Sequence, residues 1–325
     1  MNKTLRATRN SGIDAFRFIA FTFIVMLHAR GQEPPGFSNT ILEIIPRFGV
    51  PFFFLVSGYF LRTQSESFFS DVLKFVKRLA PIYIFWLIVY LLLYRMFNDS
   101  FGIESRRALF IQGGPAFHLW FLPSLGICVV LSMALFRFLP SPYVAAVGLL
   151  FYGVGLYFVE FAAPFGPPWS LWNFRDGPFF GLIFVIAGHL IRQHAWTPRL
   201  ISALFISALG LALSIAERFV LTATGVQDAA TPIDYTIGTL LFGTGILMTA
   251  LSVPSSSAIV HRLARLGRYT LGYYCIHVIF LWLVQSMMPL TSTQNILLAT
   301  GLTVVLSVAS ILALSRIRIM GSLIA

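Results

Sequence analysis

Residues 13–29, IDAFRFIAFTFIVMLHA, decide the fold of this chain. The run is apolar and reaches the length of about 17 residues that a helix needs to cross a bilayer. It nevertheless carries three ionisable side chains, Asp14, Arg17 and His28, and each costs about 2.5–3.5 kcal/mol on insertion scales. Such residues indicate either a topology anchor with a buried structural histidine or a functional site, and the run alone leaves both open.

The ionisable residues of this run share one face of the predicted helix. At about 100° per residue, the eleven steps from Arg17 to His28 return to almost the same direction about 16 Å further along. Asp14 precedes Arg17 by three residues, a spacing at which their side chains can pair. The helix is therefore predicted to present a cation near one surface and an imidazole deeper in the membrane.

The composition extends the membrane interpretation to the whole chain. Of the 325 residues, 57% are hydrophobic and 11% are charged, whereas about 25% are charged in soluble domains. We predict an all-α polytopic membrane protein with about ten transmembrane helices, built as a single membrane domain over residues 1–325. The ten apolar segments cover approximately residues 13–30, 48–63, 80–97, 117–136, 143–160, 177–192, 200–221, 235–253, 269–288 and 295–315.

The distribution of basic residues predicts the orientation. With the N-terminus in the cytoplasm, fifteen of the 23 Lys and Arg residues fall in inner segments and seven in outer ones. This satisfies the positive-inside rule and makes both tails, residues 1–12 and 316–325, cytoplasmic. The net charge of +11 therefore indicates topology and contact with anionic membrane lipids, and not nucleic-acid binding.

A basic cluster precedes the third segment on the inner side. Lys74, Lys77 and Arg78 lie at positions i, i+3 and i+4 and so share one face of a helix that enters the membrane. Three cations there can bind anionic lipid headgroups, or they can grip a phosphate-rich ligand such as coenzyme A. The same two interpretations apply to a second inner cluster, Arg262, Arg265 and Arg268.

Polar and aromatic residues near the outer side carry further expectations. Trp169 and Trp172 are either interfacial belt residues or platforms for a sugar ring. Glu160 lies near the outer end of its segment, where hydration is expected. Cys128 and Cys275 both fall in apolar runs, so we expect packing thiols and no disulfide. No zinc-like ligand spacing is present, and no metal site is predicted.

Five local patterns follow one another in order along the chain. They are GIDAFRFIAFTFIVMLH (12–28), RFGVPFFFLVSGYFL (47–61), KRLAPIYIFW (77–86), HLWFLPSLGICVVL (118–131) and LARLGRYTLGYYCIH (263–277). Together, on a ten-segment hydropathy profile, they resemble the acyltransferase 3 family, membrane enzymes that O-acylate cell-envelope carbohydrates. The resemblance runs from Gly12 to about Phe280, and the chain looks like the short stand-alone form of the family.

The resemblance implies a donor, an acceptor and a catalytic pair. Relatives take an acyl group, usually acetyl, from cytoplasmic acyl-CoA and deliver it to a sugar hydroxyl beyond the membrane, here the bacterial inner membrane. The family signature of an arginine and a histidine ten residues apart matches Arg17 and His28. Many relatives carry two arginines three apart before a proline. Arg78 fits the second position, but Phe75 occupies the first, so Lys74 and Lys77 would act as point charges in a donor clamp.

The residues fit this chemistry independently of the resemblance. Acyl transfer to a hydroxyl needs a base, and imidazole, with an unperturbed pKa of about 6.5, is suited to take the proton. His28 is therefore the predicted general base, and Arg17 is predicted to hold the donor or to orient Asp14. The secondary candidates are Asp14, Ser57, His118, Trp120, Tyr273 and His277. Each has a structural interpretation as well: a topology anchor, helix packing, an interfacial position or a buried hydrogen bond.

Two other functions compete with the acyltransferase. Intramembrane charges and about ten spans also suit a non-enzymatic transporter or exporter of a sugar or lipid-linked glycan. A membrane sensor or scaffold would use the basic faces for lipid alone. Acyl-CoA enters only the first function, as a substrate, and no bound cofactor is expected for any of the three.

Overall fold

The computed structural model describes residues 10–30, 37–61, 67–97, 111–161, 174, 176–196, 198–228, 232–317 and 321–324. Within these residues every regular element is helical. The α-helices are α1 (Ser11–Ala29), α2 (Phe37–Ile44), α3 (Gly49–Tyr59), α4 (Phe68–Phe97), α5 (Phe121–Phe138), α6 (Ser141–Leu156), α7 (Pro178–Gln193), α8 (Leu200–Ala223), α9 (Ile237–Ser252), α10 (Ala258–Gly267), α11 (Thr270–Met287), α12 (Thr293–Leu314) and α13 (Gly321–Ile324). One 3₁₀ turn, Ile45–Phe48, joins α2 to α3; another, Phe117–Trp120, leads into α5; and a π-helical turn, Tyr157–Phe161, extends α6.

Eight stretches of the described residues are long and apolar enough to cross a membrane. They are Ser11–Ala29, Thr40–Tyr59, Phe68–Met96, Phe117–Phe138, Ser141–Phe161, Leu200–Ala223, Thr270–Met287 and Thr293–Leu314. Two shorter apolar helices, α7 and α9, have 16 residues each. These ten stretches overlap the ten predicted segments, so the all-helical fold of the described residues is confirmed and is consistent with a polytopic membrane protein. The number of spans and the cytoplasmic location of the termini stay predictions.

Local signals set several helix starts. Asn10 caps α1, because its side-chain oxygen accepts the backbone N–H of Ile13 at 3.0 Å. Thr236 and Thr239 cap α9 reciprocally, each side chain accepting the other's backbone N–H.

We call the end of the bundle that holds Asn10, Tyr59 and Arg268 the inner end, following the charge-based topology, and the opposite end the outer end.

Glycines allow α3 and α7 to touch backbone to backbone. A Cβ on Gly58 would lie 1.9 Å from the carbonyl oxygen of Val185, and a Cβ on Gly188 would lie 1.9 Å from that of Leu55. Small residues of this kind are what membrane helices use to approach closely, since lipid supplies little hydrophobic drive. The close packing predicted around Ser57 is therefore observed, with its neighbour Gly58 at the contact.

A buried ion network holds the outer end together. The carboxylate of Glu43 lies 3.0 Å from Arg30 Nη1, 3.1 Å from Arg47 Nη2 and 4.0 Å from Arg218 Nη2. It also accepts the backbone N–H of Ile233 at 2.6 Å. Because Glu43 and Arg218 are almost fully buried, these charges stay inside the protein only as a mutually paired set.

The expected hydration of Glu160 is wrong. Its side chain is completely buried, and Oε1 accepts the backbone N–H groups of Asp234 at 2.8 Å and Tyr235 at 3.1 Å. The other carboxylate oxygen accepts a hydrogen bond from the side-chain amide of Gln227. A buried carboxylate needs such donors, because leaving it unbonded would cost several kcal/mol, of the order of 2–7 even for a neutral polar group.

Candidate functional site

The first helix places its two charged residues as predicted. Arg17 Nη1 donates to Asp14 Oδ1 at 2.8 Å, the i,i+3 pairing expected from sequence. The Asp14 side chain is buried, whereas that of Arg17 keeps 31% of its surface exposed. The guanidinium also lies over the ring of Phe60, 5.7 Å from its centroid, a distance at which a cation and a π-face attract.

Arg17 lines a cavity of about 430 Å³ at the inner end. The other charged side chains on its wall are Asp71, Lys74, Arg78 and Arg268, so four cations and one carboxylate face the same space. Lys74 Nζ lies 3.3 Å from Asp71 Oδ1. The rest of the wall is mainly apolar. A site of this kind can hold a ligand that combines phosphates with an uncharged arm.

One face of α4 supplies much of the basic wall. Asp71, Lys74, Phe75 and Arg78 all line the cavity, whereas Lys77 does not. Phe75 and Lys77 are two residues apart and so point about 200° apart around the helix. The structure therefore brings Lys74 and Arg78 of the predicted donor clamp together with Arg17, and places Lys77 outside.

A close helix contact brings the fourth cation, Arg268, to the cavity. It follows α10 directly, and a Cβ on the preceding Gly267 would lie 1.8 Å from the carbonyl oxygen of Asp14. This contact presses the end of α10 onto the start of α1. The sequence grouped Arg268 with Arg262 and Arg265 in one basic cluster. Neither Arg262 nor Arg265 lines the cavity.

The apolar wall runs along α5 toward the middle of the bundle. Phe121, Leu125, Val129 and Met133 line the cavity at four-residue intervals, a stripe of about 18 Å on one helix face. Tyr274 of α11 also lines it, and its ring lies 5.5 Å from that of Phe121. This aromatic pair lies at the Phe121 end of the stripe.

Ser57 contributes to the cavity wall without a free hydroxyl. Its Oγ donates to the carbonyl oxygen of Phe53 at 2.8 Å, one turn earlier in α3. A hydroxyl bonded back to its own helix is the packing arrangement common for serine in membrane helices. The geometry therefore supports a structural role for Ser57.

Three histidines from distant parts of the chain meet beyond Tyr274. His28 Nδ1 lies 2.9 Å from His277 Nε2, and the two rings are nearly parallel, 12° apart. The ring of His118 lies 5.0 Å from that of His277 and 6.4 Å from that of His28. His118 and His277 are completely buried, whereas His28 is half-buried and is the member of the cluster with an exposed surface. His28 does not itself line the cavity.

Tyr274 connects the cavity to this histidine cluster. His277 Nδ1 lies 2.5 Å from the backbone carbonyl oxygen of Tyr274, and the Tyr274 hydroxyl donates to the carbonyl oxygen of His118. His118 Nε2 lies 3.3 Å from the carbonyl oxygen of Cys275. The sequence named His118 and His277 as candidates but missed Tyr274, although it stands one helical turn before His277.

The remaining candidates lie elsewhere. Tyr273 is buried against Phe18 and Phe21 of α1, with ring centroids 6.3 and 5.5 Å away. Trp120 is buried with its ring 6.3 Å from that of Phe180. Neither lines the cavity. The predicted acceptor residues, Trp169 and Trp172, lie outside the described residues.

The two cysteines and the potential metal ligands can be assessed in the described part of the chain. Cys128 and Cys275 are free and buried, which confirms the predicted packing role. Among the residues described, no group of three or more His, Cys, Asp or Glu side chains is arranged to hold a metal ion.

Comparison with known proteins identifies the family. Residues 10–316 match the acyltransferase domain of the acyltransferase 3 family. This chain belongs to that family. Together with the apolar helices, membership supports a multi-pass membrane acyltransferase. No solved structure is significantly similar to the chain.

Curated relatives of this acyltransferase 3 family member carry other names. An amino-acid racemase from Enterococcus faecalis is 29% identical over 203 residues, which cover 55% of this chain and 29% of the relative. A serine/alanine racemase from Enterococcus gallinarum is 28% identical over 233 residues, covering 64% of this chain and 33% of the relative. The chain thus spans about a third of the length of these relatives.

Proposed function

We propose that this protein is an O-acyltransferase of the bacterial inner membrane. It would take an acyl group, acetyl in the simplest case, from cytoplasmic acyl-CoA and pass it to a hydroxyl of an extracytoplasmic or lipid-linked carbohydrate. The observation that supports this most is the meeting of two features at Tyr274. A basic cavity at the inner end adjoins that residue on one side, and a histidine cluster with one accessible imidazole adjoins it on the other.

The donor would bind with its phosphates at the inner end. Arg17, Arg78 and Arg268 supply planar forks that match phosphate oxygens, and Lys74 adds a point charge. The thioester arm is long and uncharged, and the stripe along α5 offers it an apolar wall of about 18 Å. This division of charge fits acyl-CoA better than a neutral sugar, which needs no cluster of cations.

The chemistry would take place at His28. As the acceptor oxygen attacks the thioester carbonyl carbon, the imidazole takes the hydroxyl proton. The carbon–sulfur bond then breaks, and the thiolate of coenzyme A leaves with the electron pair and is protonated by solvent. Direct transfer is favoured over an acyl-serine route, because the Ser57 hydroxyl donates its proton to the Phe53 carbonyl.

The experiment compares two histidine variants in cells. His28→Ala should lower acylation of envelope glycans, measured by mass spectrometry, by about 10²-fold or more, the contribution of a general base. His194→Ala removes an exposed histidine at the end of α7 and should leave acylation unchanged. Undiminished acylation with membrane-inserted His28→Ala would remove His28 from the mechanism. Glycan flux across vesicles that needs no acyl-CoA would favour the transporter instead.

Free serine is a second candidate for the acceptor. One aligned relative is named a serine/alanine racemase, and serine, like a sugar, carries a hydroxyl that can be acylated. Free serine is therefore tested beside the envelope glycans, with acetyl-CoA as the donor.

A further inference from the structure

The histidine cluster contains a hydrogen-bonded chain whose direction can be deduced. It runs from the backbone carbonyl of Tyr274 through His277 to His28, with donor–acceptor distances of 2.5 and 2.9 Å. A carbonyl oxygen only accepts hydrogen bonds, so His277 Nδ1 carries a proton and donates it. This first link fixes the role of one ring nitrogen.

The second link follows from burial. His277 is completely buried, and its two ring nitrogens are bonded to a backbone carbonyl and to another imidazole. Burying a charge without a charged partner is very costly, so His277 is neutral. A neutral imidazole with its proton on Nδ1 has a lone pair on Nε2. His277 Nε2 therefore accepts, and His28 Nδ1 must donate.

The consequence concerns the reactive atom of His28. With its proton held on Nδ1 by His277, the neutral His28 ring carries its lone pair on Nε2. An imidazole without such a partner can carry its proton on either nitrogen, and only the correct tautomer can act as a base at a given atom. The hydrogen bond thus selects one of two states before any substrate arrives.

We propose that His277 is the positioning residue that fixes this tautomer and makes His28 Nε2 the atom that takes the acceptor proton. The inference rests on the proposed function. As the proton moves from the acceptor hydroxyl to Nε2, His28 becomes an imidazolium and its Nδ1–H bond to His277 becomes charge-assisted and stronger. His277 therefore stabilises the proton-transfer transition state more than the ground state, which is the requirement for a rate effect.

The surrounding packing holds His277 in place. Its ring lies edge-on to Phe21, with centroids 6.0 Å apart, and edge-on to His118, 5.0 Å apart. Tyr274, whose carbonyl begins the chain, is itself tied to the His118 backbone. The ring of His277 is thus bounded by α1, by α11 and by the turn before α5.

The test replaces His277 with two residues of different hydrogen-bonding capacity. Leucine removes both bonds, whereas glutamine keeps an acceptor oxygen for His28 and a donor for the Tyr274 carbonyl. With acetyl-CoA and the envelope glycan fraction, His277→Leu should lower kcat by about 10–10²-fold, the size expected for losing one hydrogen bond to a charged group in the transition state. KM for acetyl-CoA should not change, because His277 does not line the cavity. His277→Gln should recover most of the lost kcat.

A second readout does not depend on activity. In ¹⁵N-histidine NMR of the full-length protein in lipid, the His28 signals, assigned from their loss in His28→Asn, should show a protonated Nδ1 and an unprotonated Nε2. In His277→Leu the proton should be found on Nε2 in a substantial fraction of molecules. Both variants are first checked for membrane insertion and a monodisperse elution profile.

The outcomes separate the inference from the function on which it rests. If His28→Ala abolishes transfer while His277→Leu leaves both kcat and the His28 tautomer unchanged, the positioning role is wrong and the proposed function stands. Equal losses in well-folded His277→Leu and His277→Gln would also overturn it, because a bond-based role predicts rescue. If no variant, the wild type included, transfers acetyl, the proposed function fails and the catalytic role of His277 fails with it, whatever the tautomer.

Discussion

Arginines serve opposite purposes at the two ends of the helix bundle. At the outer end, Arg30, Arg47 and Arg218 surround the buried carboxylate of Glu43. At the inner end, Lys74, Arg78 and Arg268 are exposed and Arg17 is partly exposed. Within the described residues Arg268 forms no ion pair. The residue type is the same, but burial and partners differ. A buried, paired arginine holds the fold, whereas an exposed group of arginines around a cavity can bind an anion.

The largest effect is expected at the outer end. Glu43→Gln leaves three arginines around a neutral amide, and breaking a buried ion pair in this way costs about 3–5 kcal/mol of unfolding free energy. Thermal unfolding in detergent should show the loss. As a control, Glu217→Gln weakens one hydrogen bond to the backbone of Ile237 and should cost only about 1 kcal/mol. Equal unfolding temperatures for wild type and Glu43→Gln would mean that the network does not stabilise the fold.

The next largest effect is expected at the inner end, on the KM for acetyl-CoA. Replacing Arg78 or Arg268 by glutamine should raise KM for acetyl-CoA about tenfold each. A hydrogen bond to a charged group contributes about 1.5–3 kcal/mol, and because both arginines are exposed, their contributions should lie at the low end of that range. The unfolding temperature and kcat should stay unchanged, because the lost interaction is made equally in the ground and transition states. Arg265→Gln, three residues before Arg268 and outside the cavity, is the matched control. A similar rise in KM for Arg265→Gln would indicate a diffuse surface charge effect and no defined site.

A smaller effect separates the two lysines of α4. Lys74→Gln should raise KM for acetyl-CoA about threefold, because an exposed ammonium paired with a carboxylate adds only about 0.2–1 kcal/mol. Lys77→Gln should change KM less than Lys74→Gln does, since Lys77 points away from the cavity. The reverse order would restore the clamp predicted from sequence, with both lysines in contact with the donor.

Ionic strength should give the smallest effect and should act on one end only. Raising salt from about 0.05 to about 0.5 M shortens the Debye length to a few ångströms and should raise KM for acetyl-CoA a few-fold. The buried outer network is screened much less, so the unfolding temperature should change little. A stability that falls with salt while KM stays constant would reverse the roles assigned to the two ends.

Local features of the fold could be predicted from the sequence. The apolar segments and the Asp14–Arg17 pair depend on residues that are close together in the sequence. The basic face of α4 was also visible, although spacing alone could not tell that Lys77 faces away. That distinction depends on which side of α4 the cavity occupies, and so on helices far away in the chain.

Long-range features could not be read in this way. His28 and His277 are 249 residues apart, and neither local sequence pattern predicts that their rings are in contact. Glu160 was expected in water because it lies at a helix end, but a segment with no distinctive pattern, around Asp234, supplies the backbone donors that bury it. Each side chain had a recognisable chemistry in sequence; its partner was set by tertiary packing.

The most direct test of the central claim places donor and acceptor on opposite sides of a sealed membrane. Proteoliposomes of uniform orientation receive acetyl-CoA at the inner end of the protein and the envelope glycan fraction at the outer end, and acetylated glycan is measured by mass spectrometry. Wild type should acetylate the glycan only when acetyl-CoA is at the inner end, and His28→Ala should lose that product. Product that is equally abundant with His28→Ala, or with donor and acceptor both confined to the outer side, would contradict the account.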